Sequence, residues 1–261
     1  MALFCNASFA ATNTETRLTT NTASQYNPAI YGDKVVWSDN RYGWDIFMKD
    51  LTTNTETRLT TNTAAQQYPA IYGDKVVWED DRYGNWDIFL MNLNSETRLT
   101  TNTAHQYNPA IYGDKVVWQD DRYGNWDIFM KDLITNTETR LTTNTADQFS
   151  PAIYGDKVVW EDDRYGNADI FMKNLSSNVE SHLTTNSASQ SDAAIYVDRV
   201  VWTDYRYGND DIFMKDLTSN VETRISNNPS DQYDPTIYQD RIVWIDDRTE
   251  NKDIYLRNWT K

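Results

Sequence analysis

Three tryptophans that stand directly before an Asp-Ile pair are the first candidates for recognition chemistry in this chain. An indole ring beside carboxylates can stack on a sugar or anchor a peptide. The ring can also pack on a neighbouring loop of the fold, which is the simpler of the two interpretations and is favoured here. Tyrosines and aspartates of the same loops complete the candidate ligand-binding set, which comprises Trp44, Trp86, Trp126, Tyr83, Tyr123, Asp81 and Asp121.

A second group of charged residues recurs at equivalent places throughout the chain. It consists of an Asp two positions after a repeated Trp, an Arg two residues later and an Asp before Ile. Residues that are needed six times are more simply structural staples than catalytic groups. We predict that the Arg forks between the two carboxylates and fixes the loop. The clearest members are Asp80, Arg82, Asp87, Asp120, Arg122, Asp127, Asp162, Arg164 and Asp169.

The remaining acids of these loops do not follow the six-fold pattern. They could attract a basic partner or Ca²⁺, but an Arg in every loop opposes cation binding and no EF-hand-like spacing is present. The favoured interpretation is a solvated face. These acids are Glu79, Asp81, Asp121, Glu161, Asp163, Asp210, Asp247 and Glu250.

The chain offers little material for catalysis. It has two histidines, His105 and His182, in different repeats, and one cysteine, Cys5, which argues against a Ser-His-Asp triad and a His or Cys metal site. It has no P-loop, GxGxxG, HExxH or GxSxG motif. We therefore predict no catalytic residues, no metal and no cofactor. Carboxylate pairs for glycoside cleavage are too numerous for that chemistry to be excluded.

The composition indicates a folded and acidic protein. Hydrophobic residues make up 39% of the 261 residues, aromatic residues 13%, and the net charge is -15. A chain this rich in aromatic residues is not disordered, and one this acidic is a poor partner for nucleic acid. No stretch approaches the ~20 apolar residues of a membrane span. We expect a monomer without a membrane span.

An internal repeat predicts the fold. The sequence Val-Val-Trp or Ile-Val-Trp recurs at intervals of about 41 residues and ends at Trp37, Trp78, Trp118, Trp160, Trp202 and Trp244. Periods near 40 to 45 residues are typical of a four-stranded propeller blade. Each repeat contains four short runs rich in β-branched and aromatic residues, which in the second repeat cover residues 70–72, 75–78, 87–91 and 96–101.

The first two runs are apolar at consecutive positions, so both of their faces must be covered. A ring of four-stranded sheets covers them, with run one at the axis and run four at the rim. A copy of run four already occurs at residues 15–20, before the first copy of run one. The sixth repeat ends after its run three. We therefore predict an all-β, six-bladed propeller that the N-terminal strand closes by joining the C-terminal blade.

The repeat resembles the TolB-type β-propeller repeat, in particular its tandem forms in archaeal and bacterial cell-surface proteins. The resemblance is carried by Pro-Ala-Ile-Tyr-Gly-Asp-Lys-Val-Val-Trp at residues 69–78 and by the Arg-Tyr-Gly-Asn, Asp-Ile-Phe and Arg-Leu-Thr elements that follow. It covers residues 13–261 as one propeller domain. Residues 1–12 are interpreted as a signal-peptide remnant or a disordered N-terminus.

The resemblance implies an exported protein, located extracellularly, on the cell surface or in the periplasm. We expect a non-enzymatic binding or adhesion scaffold that holds a protein or glycan ligand on its acidic, Trp-bearing face. Two alternatives stay open. One is a carbohydrate-binding lectin that uses the same rings, and the other is a polysaccharide hydrolase or lyase at the mouth of the axial channel.

Overall fold

The computed structural model describes residues 17–93, 95–248 and 252–259 and contains six antiparallel sheets. In each sheet the strands lie in chain order, so strand one pairs with strand two and strand two with strand three. In five of the six sheets strand three also pairs with a described strand four. First strands of successive blades contact one another, which places them at the axis of the ring. The six-bladed, all-β fold that the repeat predicts is confirmed.

Strands one to three of a blade have seven, six and six residues, and strand four has four. The strands are β1 (Gln25–Tyr31), β2 (Lys34–Asp39), β3 (Asp45–Asp50) and β4 (Thr55–Arg58) in blade one; β5 (Gln66–Tyr72), β6 (Lys75–Asp80), β7 (Asp87–Asn92) and β8 (Ser95–Arg98) in blade two; β9 (Gln106–Tyr112), β10 (Lys115–Asp120), β11 (Asp127–Asp132) and β12 (Thr137–Arg140) in blade three; β13 (Gln148–Tyr154), β14 (Lys157–Asp162), β15 (Asp169–Asn174) and β16 (Val179–His182) in blade four; β17 (Gln190–Tyr196), β18 (Arg199–Asp204), β19 (Asp211–Asp216) and β20 (Val221–Arg224) in blade five; and β21 (Gln232–Tyr238), β22 (Arg241–Asp246) and β23 (Asp253–Asn258) in blade six.

The consecutive apolar residues of strand two face two different blades. In β6, Val76 and Trp78 pack towards blade one, whereas Val77 packs towards blade three. Successive side chains of a strand point to opposite faces of the sheet, so a Val-Val-Trp run contributes to two inter-blade cores at once. Trp78 is fully buried in this way, and burial of a large apolar side chain contributes about 1.5–3 kcal/mol.

The strand one-to-two hairpins form the face opposite to the Trp-bearing loops. On this face the last tyrosine of each first strand contacts its counterpart in the next blade, with ring centroids 4.6 to 5.1 Å apart. Ion pairs such as Lys75 to Asp114, at 3.0 Å, run beside these rings from blade to blade. Five of the six junctions carry both kinds of contact among the described residues.

Strand four is shorter than the sequence suggests. The expected run at residues 96–101 ends as a strand at Arg98, and Leu99 turns inwards instead. The Leu99 amide donates to the Ile88 carbonyl at 2.8 Å, and its side chain is buried in the junction with blade three. The apolar position after strand four therefore belongs to the inter-blade core.

The sixth junction, between blades six and one, differs from the other five. Ile30 in β1 is 64% exposed, although its counterpart Ile71 is 8% exposed. Ile254 in β23 is 72% exposed, and its counterpart Ile88 is fully buried. Among the described residues no ring contact joins Tyr238 to Tyr31, so the tyrosine series ends on each side of this junction.

The predicted N-terminal closing strand lies mostly outside the described residues. By comparison with Thr55–Arg58 it would occupy residues 14–17, of which the structure describes Arg17 alone, and residues 17–20 form no strand. Leu18 packs against Val35 of blade one, and its carbonyl accepts a 3.2 Å hydrogen bond from Lys49. The Leu141 carbonyl accepts one from Lys173 in the same way, so Leu18 occupies the place that follows a fourth strand.

The interpretation of residues 1–12 also concerns residues outside those described. Across the part of the chain that the structure describes, we find no helix with the length and apolar character needed to cross a bilayer.

We predict that the same substitution has different costs at two equivalent places. Ile88→Ala removes a fully buried side chain and should lower the free energy of unfolding by about 2–5 kcal/mol. Ile254→Ala removes a side chain that is 72% exposed and should change it by less than about 0.5 kcal/mol. Urea denaturation measures both. Equal losses would mean that Ile254 is covered in solution and that the description of the sixth junction is wrong.

We also predict that the hairpin of blade five is strained. Val197 has a φ of 56°, in the left-handed region that β-branched residues avoid, where blade four has Gly155 with a φ of 59°. Val197→Gly should therefore raise the free energy of unfolding by about 1 kcal/mol. The reverse change, Gly155→Val, meets no neighbouring atom and should lower it by a similar amount. Thermal unfolding of both variants checks the prediction, and a loss of stability in Val197→Gly contradicts it.

Candidate functional site

Two sets of loops form one end of the propeller, which we call the acidic face. Backbone hydrogen bonds join the sets, because the Gln66 amide donates to the Trp44 carbonyl and the Gln106 amide to the Trp86 carbonyl, both at 2.9 Å. Each Trp is thereby fixed against the first strand of the next blade. The sets are the strand two-to-three loops, 40–44, 81–86, 121–126, 163–168, 205–210, 247–248 and 252, and the blade-to-blade loops, 59–65, 99–105, 141–147, 183–189 and 225–231.

The predicted staple arginine binds two carboxylates, but its second partner is not the expected one. In blade two, Arg82 donates to both oxygens of Asp80, at 2.8 and 2.5 Å, and to Glu96 of strand four at 2.5 Å. Asp80 also accepts the indole N–H of Trp78 at 3.2 Å. The Arg therefore links strand two to strand four. Asp120 with Arg122, Asp162 with Arg164 and Asp204 with Arg206 repeat the arrangement.

The Asp before Ile has a partner of its own. Asp87 accepts a hydrogen bond from Arg98 at 2.7 Å and one from Thr100 at 3.3 Å. Cross-strand pairing places Arg98 opposite Phe89, two residues from Asp87 on the same face of the sheet, and so within reach. The expectation that Arg82 holds Asp87 is therefore wrong. Asp127 binds Arg140 in the same way, and Asp169 lies 3.1 Å from His182, which stands in the place of that Arg.

Tyr83 and Tyr123 lie away from the three tryptophans. The Tyr83 ring stacks on Phe89, and the Arg98 guanidinium lies 4.0 Å above its centre. Tyr123 makes the corresponding contacts with Phe129 and Arg140. Both tyrosines are about 60% exposed, on the strand-four side of the loop. The structure therefore does not bring them together with the Trp rings.

Asp81 and Asp121 bind the loop backbone. Asp81 accepts the amide of Ala65 at 2.8 Å, and Asp121 accepts the amide of His105 at 2.8 Å. Each carboxylate thus ties a strand two-to-three loop to the blade-to-blade loop that precedes its own blade. In this position they orient the loops that carry the aromatic rings.

Four half-buried rings form a continuous series on the inner side of the acidic face, which we call the aromatic arc. They are Trp86, Tyr107, Trp126 and Phe149, and neighbouring ring centroids lie 5.5 to 6.5 Å apart. Trp44 pairs with Tyr26 at 5.6 Å but does not extend the arc, because blade two has Gln67 where blade three has Tyr107. Trp86 and Trp126 therefore do pack on rings of the next blade, whereas the ring contact of Trp44 lies within its own blade. Part of each Trp ring stays open.

Sequence reasoning missed Tyr107, Phe149 and His105. His105 stacks on Tyr107 at 5.6 Å, and its Nδ1 atom accepts the amide of Trp86 at 3.3 Å. Sequence variation could have identified Tyr107 and Phe149. They stand at the second position of strand one, which differs between repeats whose other positions are nearly constant. That position holds Tyr26, Gln67, Tyr107, Phe149, Ser191 and Tyr233.

The axial channel opens on the acidic face through a ring of backbone bulges. The third residue of every first strand has a positive φ, and the pairing with strand two shifts register there. These residues are Asn27, Tyr68, Asn108, Ser150, Asp192 and Asp234. The first five, with the prolines that follow four of them, line a cavity of about 500 Å³. A pocket of this size is within the range of ligand sites.

The bulge amides of blades two to five are each held by the preceding blade. The Asn108 amide donates to Glu79 at 2.6 Å, the Ser150 amide to Gln119 at 2.9 Å and the Asp192 amide to Glu161 at 2.8 Å. The acceptors are the residues that directly follow the repeated Trp. Glu79 and Glu161, expected among the acids of a solvated face, instead form part of the inter-blade contact, and Glu79 is only 2% exposed.

Burial changes the protonation of these two glutamates. Desolvation raises the pKa of Glu79 to about 8, although the hydrogen bond from Asn108 works in the opposite direction. Desolvation is also the main reason why the pKa of Glu161 is raised to about 7. Each carboxyl group therefore keeps its proton up to a far higher pH in the folded protein than in the unfolded chain.

Acidic residues concentrate on the other half of the channel mouth, in blades five and six. Blade five carries Asp210 where blades one to three carry Trp, and the Asp210 amide donates to Asp231 at 3.0 Å. The bulges of these blades carry Asp192 and Asp234. Across residues 17–93, 95–248 and 252–259, no three His, Cys, Asp or Glu side chains are grouped so as to hold a metal ion.

The buried carboxyl of Glu79 leads to a pH-dependent prediction. A raised folded-state pKa means that stability is lost as the pH rises from the ordinary glutamate value of 4.5 towards about 8. Glu79→Gln should therefore raise the unfolding temperature by roughly 5 °C at pH 8.5 and by about 1 °C or less at pH 4.5. Gln119 fills the same place in blade three, so the chain already accommodates this residue.

Differential scanning calorimetry at the two pH values measures the effect. Asp33→Asn on the opposite face removes the same unit of charge and serves as the control for the high net charge. A gain of the same size at both pH values, or in both variants, would contradict the assignment.

No protein-family profile matches the chain, and no curated protein matches it. Among solved structures, the putative TolB of Agrobacterium tumefaciens is 14% identical, with a TM-score of 0.65 over 80% of this chain and 83% of that one. TolB of Acinetobacter baumannii is 14% identical, with a TM-score of 0.68 over 88% of this chain and 62% of that one.

An enzyme has a similar fold. The oligogalacturonate lyase of Vibrio parahaemolyticus is 11% identical, with a TM-score of 0.60 over 93% of this chain and 92% of that one. At these identities the similarity concerns the fold. The protein is a six-bladed β-propeller, and its fold is similar to that of the TolB structures and of this lyase.

Proposed function

We propose that this protein is a non-enzymatic binding module that holds a protein partner on its acidic face. The observation that carries the proposal is the aromatic arc, whose four rings are half-buried and stand side by side on the acidic face. Trp and Tyr anchors of this kind supply much of the energy at protein interfaces. The protein acts as a single chain, outside the cell, on its surface or in the periplasm.

The stapled loops support a binding role because they reduce the cost of association. Arg82 and its equivalents hold the loops through charged hydrogen bonds, and Asp81 and Asp121 hold the loop backbone. A surface that is already ordered loses less conformational freedom when a partner binds. The arc is therefore presented on a rigid support.

Two other functions compete for the same region. A lectin would use the open parts of Trp86 and Trp126 to stack on sugar rings. A hydrolase or lyase would use carboxylates at the channel mouth, such as Asp192, and its support is the fold shared with oligogalacturonate lyase. Turnover of a polysaccharide that is lost in Asp192→Asn would favour the enzyme.

The test compares the wild type with the double variant Trp86→Ala, Trp126→Ala. Blade four has Ala168 at the equivalent place, so this is a change that the chain already carries. Both proteins are probed with a displayed peptide library and a glycan array. We expect peptides that bind the wild type and bind the double variant at least about 10-fold more weakly, because two anchor rings are lost.

A matched control removes two rings from the rim of the same face. Tyr83→Ala with Tyr123→Ala should leave peptide binding within about two-fold. Ring-dependent binding on the glycan array alone would favour the lectin. Equal effects of the two double variants, or no ligand that depends on the Trp rings, would overturn the proposal.

A further inference from the structure

The channel mouth has two chemically different halves. The half formed by blades two to four carries the aromatic arc, and the half formed by blades five and six carries Asp192, Asp210 and Asp234. Asn108, Ser150 and Asp192 line one cavity, and Tyr107 and Phe149 of the aromatic arc directly precede the first two of these residues in their strands. A ligand that enters the cavity meets the Asp192 carboxylate, and the arc begins at the residues next to Asn108 and Ser150.

The orientation of Asp192 is fixed. Its amide is held by Glu161 at 2.8 Å, and its carboxylate accepts the Ser191 hydroxyl at 3.0 Å. Lys252 is a cation near this half, and its Nζ atom lies 5.1 Å from the centre of the Tyr233 ring. One lysine is set against several aspartates, so the acidic half carries excess negative charge.

The titration behaviour of the aspartates agrees with this excess. Partial desolvation, together with the neighbouring carboxyls of Asp231 and Asp192, raises the pKa of Asp210. Partial desolvation and the Asp192 carboxyl also raise the pKa of Asp234, although Lys252 lowers it. A positive charge from a ligand would relieve this repulsion.

An unpartnered buried hydroxyl lies beneath the same half. Thr203 is 3% exposed, and its Oγ1 atom has no hydrogen-bond partner among the described residues. The equivalent side chains in blades one to four all bind the bulge of the next blade, which for Thr203 is the bulge at Asp234. Cross-strand pairing also places Thr203 opposite Ser191, beside Asp192. A polar group is therefore available under the two carboxylates.

We infer that the channel mouth binds the guanidinium group of an arginine in an extended peptide segment, between the aromatic arc and the carboxylates of Asp192 and Asp234. The inference rests on the proposed function and names the chemistry of the partner. A guanidinium has a planar fork that matches carboxylates and a flat face that stacks on aromatic rings, whereas an ammonium is a compact point charge.

The protein itself uses this combination of contacts in its loops. Arg82 binds Asp80 through two nitrogens, while its guanidinium lies 4.3 Å above the Phe89 ring. Arg122 does the same with Asp120 and Phe129. The residues that line the cavity include Asp192 but no arginine, and rings of the arc directly precede the lining residues Asn108 and Ser150.

The experiment uses a matched pair of probes, acetyl-Gly-Arg-Gly-amide and the same peptide with citrulline, the neutral isostere of arginine. Binding to the whole chain is followed by tryptophan fluorescence and by isothermal calorimetry. We expect the arginine peptide to bind about 10-fold more tightly than the citrulline peptide, because only the former carries a charge for the aspartates.

The decisive variant is Asp192→Asn with Asp234→Asn. Asn27 and Asn108 stand at the same bulge position with positive φ, so both substitutions suit the backbone. We expect the double variant to lose about 10-fold in affinity for the arginine peptide and to bind both probes equally. Asp33→Asn on the opposite face should keep the wild-type discrimination.

The outcomes separate this inference from the proposed function. Trp86→Ala with Trp126→Ala should lower the affinity for both peptides, because stacking on the rings does not depend on the charge of the peptide. One outcome is that the tryptophan variant lowers the affinity for both peptides while the aspartate variant still binds the arginine peptide more tightly than the citrulline peptide. In that case the arginine inference is wrong, and the proposed binding face is still supported. If the wild type does not distinguish the probes, or Asp33→Asn acts like the aspartate variant, the inference is also wrong.

Discussion

The structure depends on the need to cover both faces of the second strand of every blade. Val76 and Trp78 pack against one neighbouring blade and Val77 packs against the other, so no blade can bury its own core. Each blade is therefore stable only between two others. This requirement explains why the repeats keep Val-Val-Trp almost unchanged, and why the one junction that differs has exposed isoleucines on both of its sides.

The blade number, the strand order and the shared face of the loops could be predicted from the repeat. These features follow from periodicity and from the period-two geometry of strands, which a single sequence displays directly. The partners of Arg82 and Asp87 could not be predicted, because two carboxylates and two arginines lie close in sequence and only the pairing of strands three and four decides between them. The aromatic arc was missed for a related reason. Tyr107 and Phe149 stand just before a bulge, where the register shifts and alternation no longer tells which way a side chain points.

The six-fold elements and the varied elements have different roles. The Trp, Asp and Arg of the staples repeat in every blade and bind one another, so they specify the scaffold and leave little to a ligand. The positions around the channel mouth differ between blades at the same backbone geometry, as Asn108, Ser150 and Asp192 show. The residues that stabilise the fold are thus the same in every blade, and the residues at the channel mouth vary. In such an arrangement the residues of a binding site can change without destabilising the fold.

The buried glutamates connect the scaffold to that opening. Glu79 and Glu161 hold the bulge amides of the next blade, and the bulges carry the side chains that line the cavity. An ionised glutamate is energetically unfavourable at this position, because desolvation favours the neutral carboxyl group. The raised pKa values of about 8 for Glu79 and about 7 for Glu161 reflect this effect. Gln119 makes the same contact in blade three without a titratable group. The stability of the contacts made by Glu79 and Glu161 therefore depends on pH, whereas that of the Gln119 contact does not.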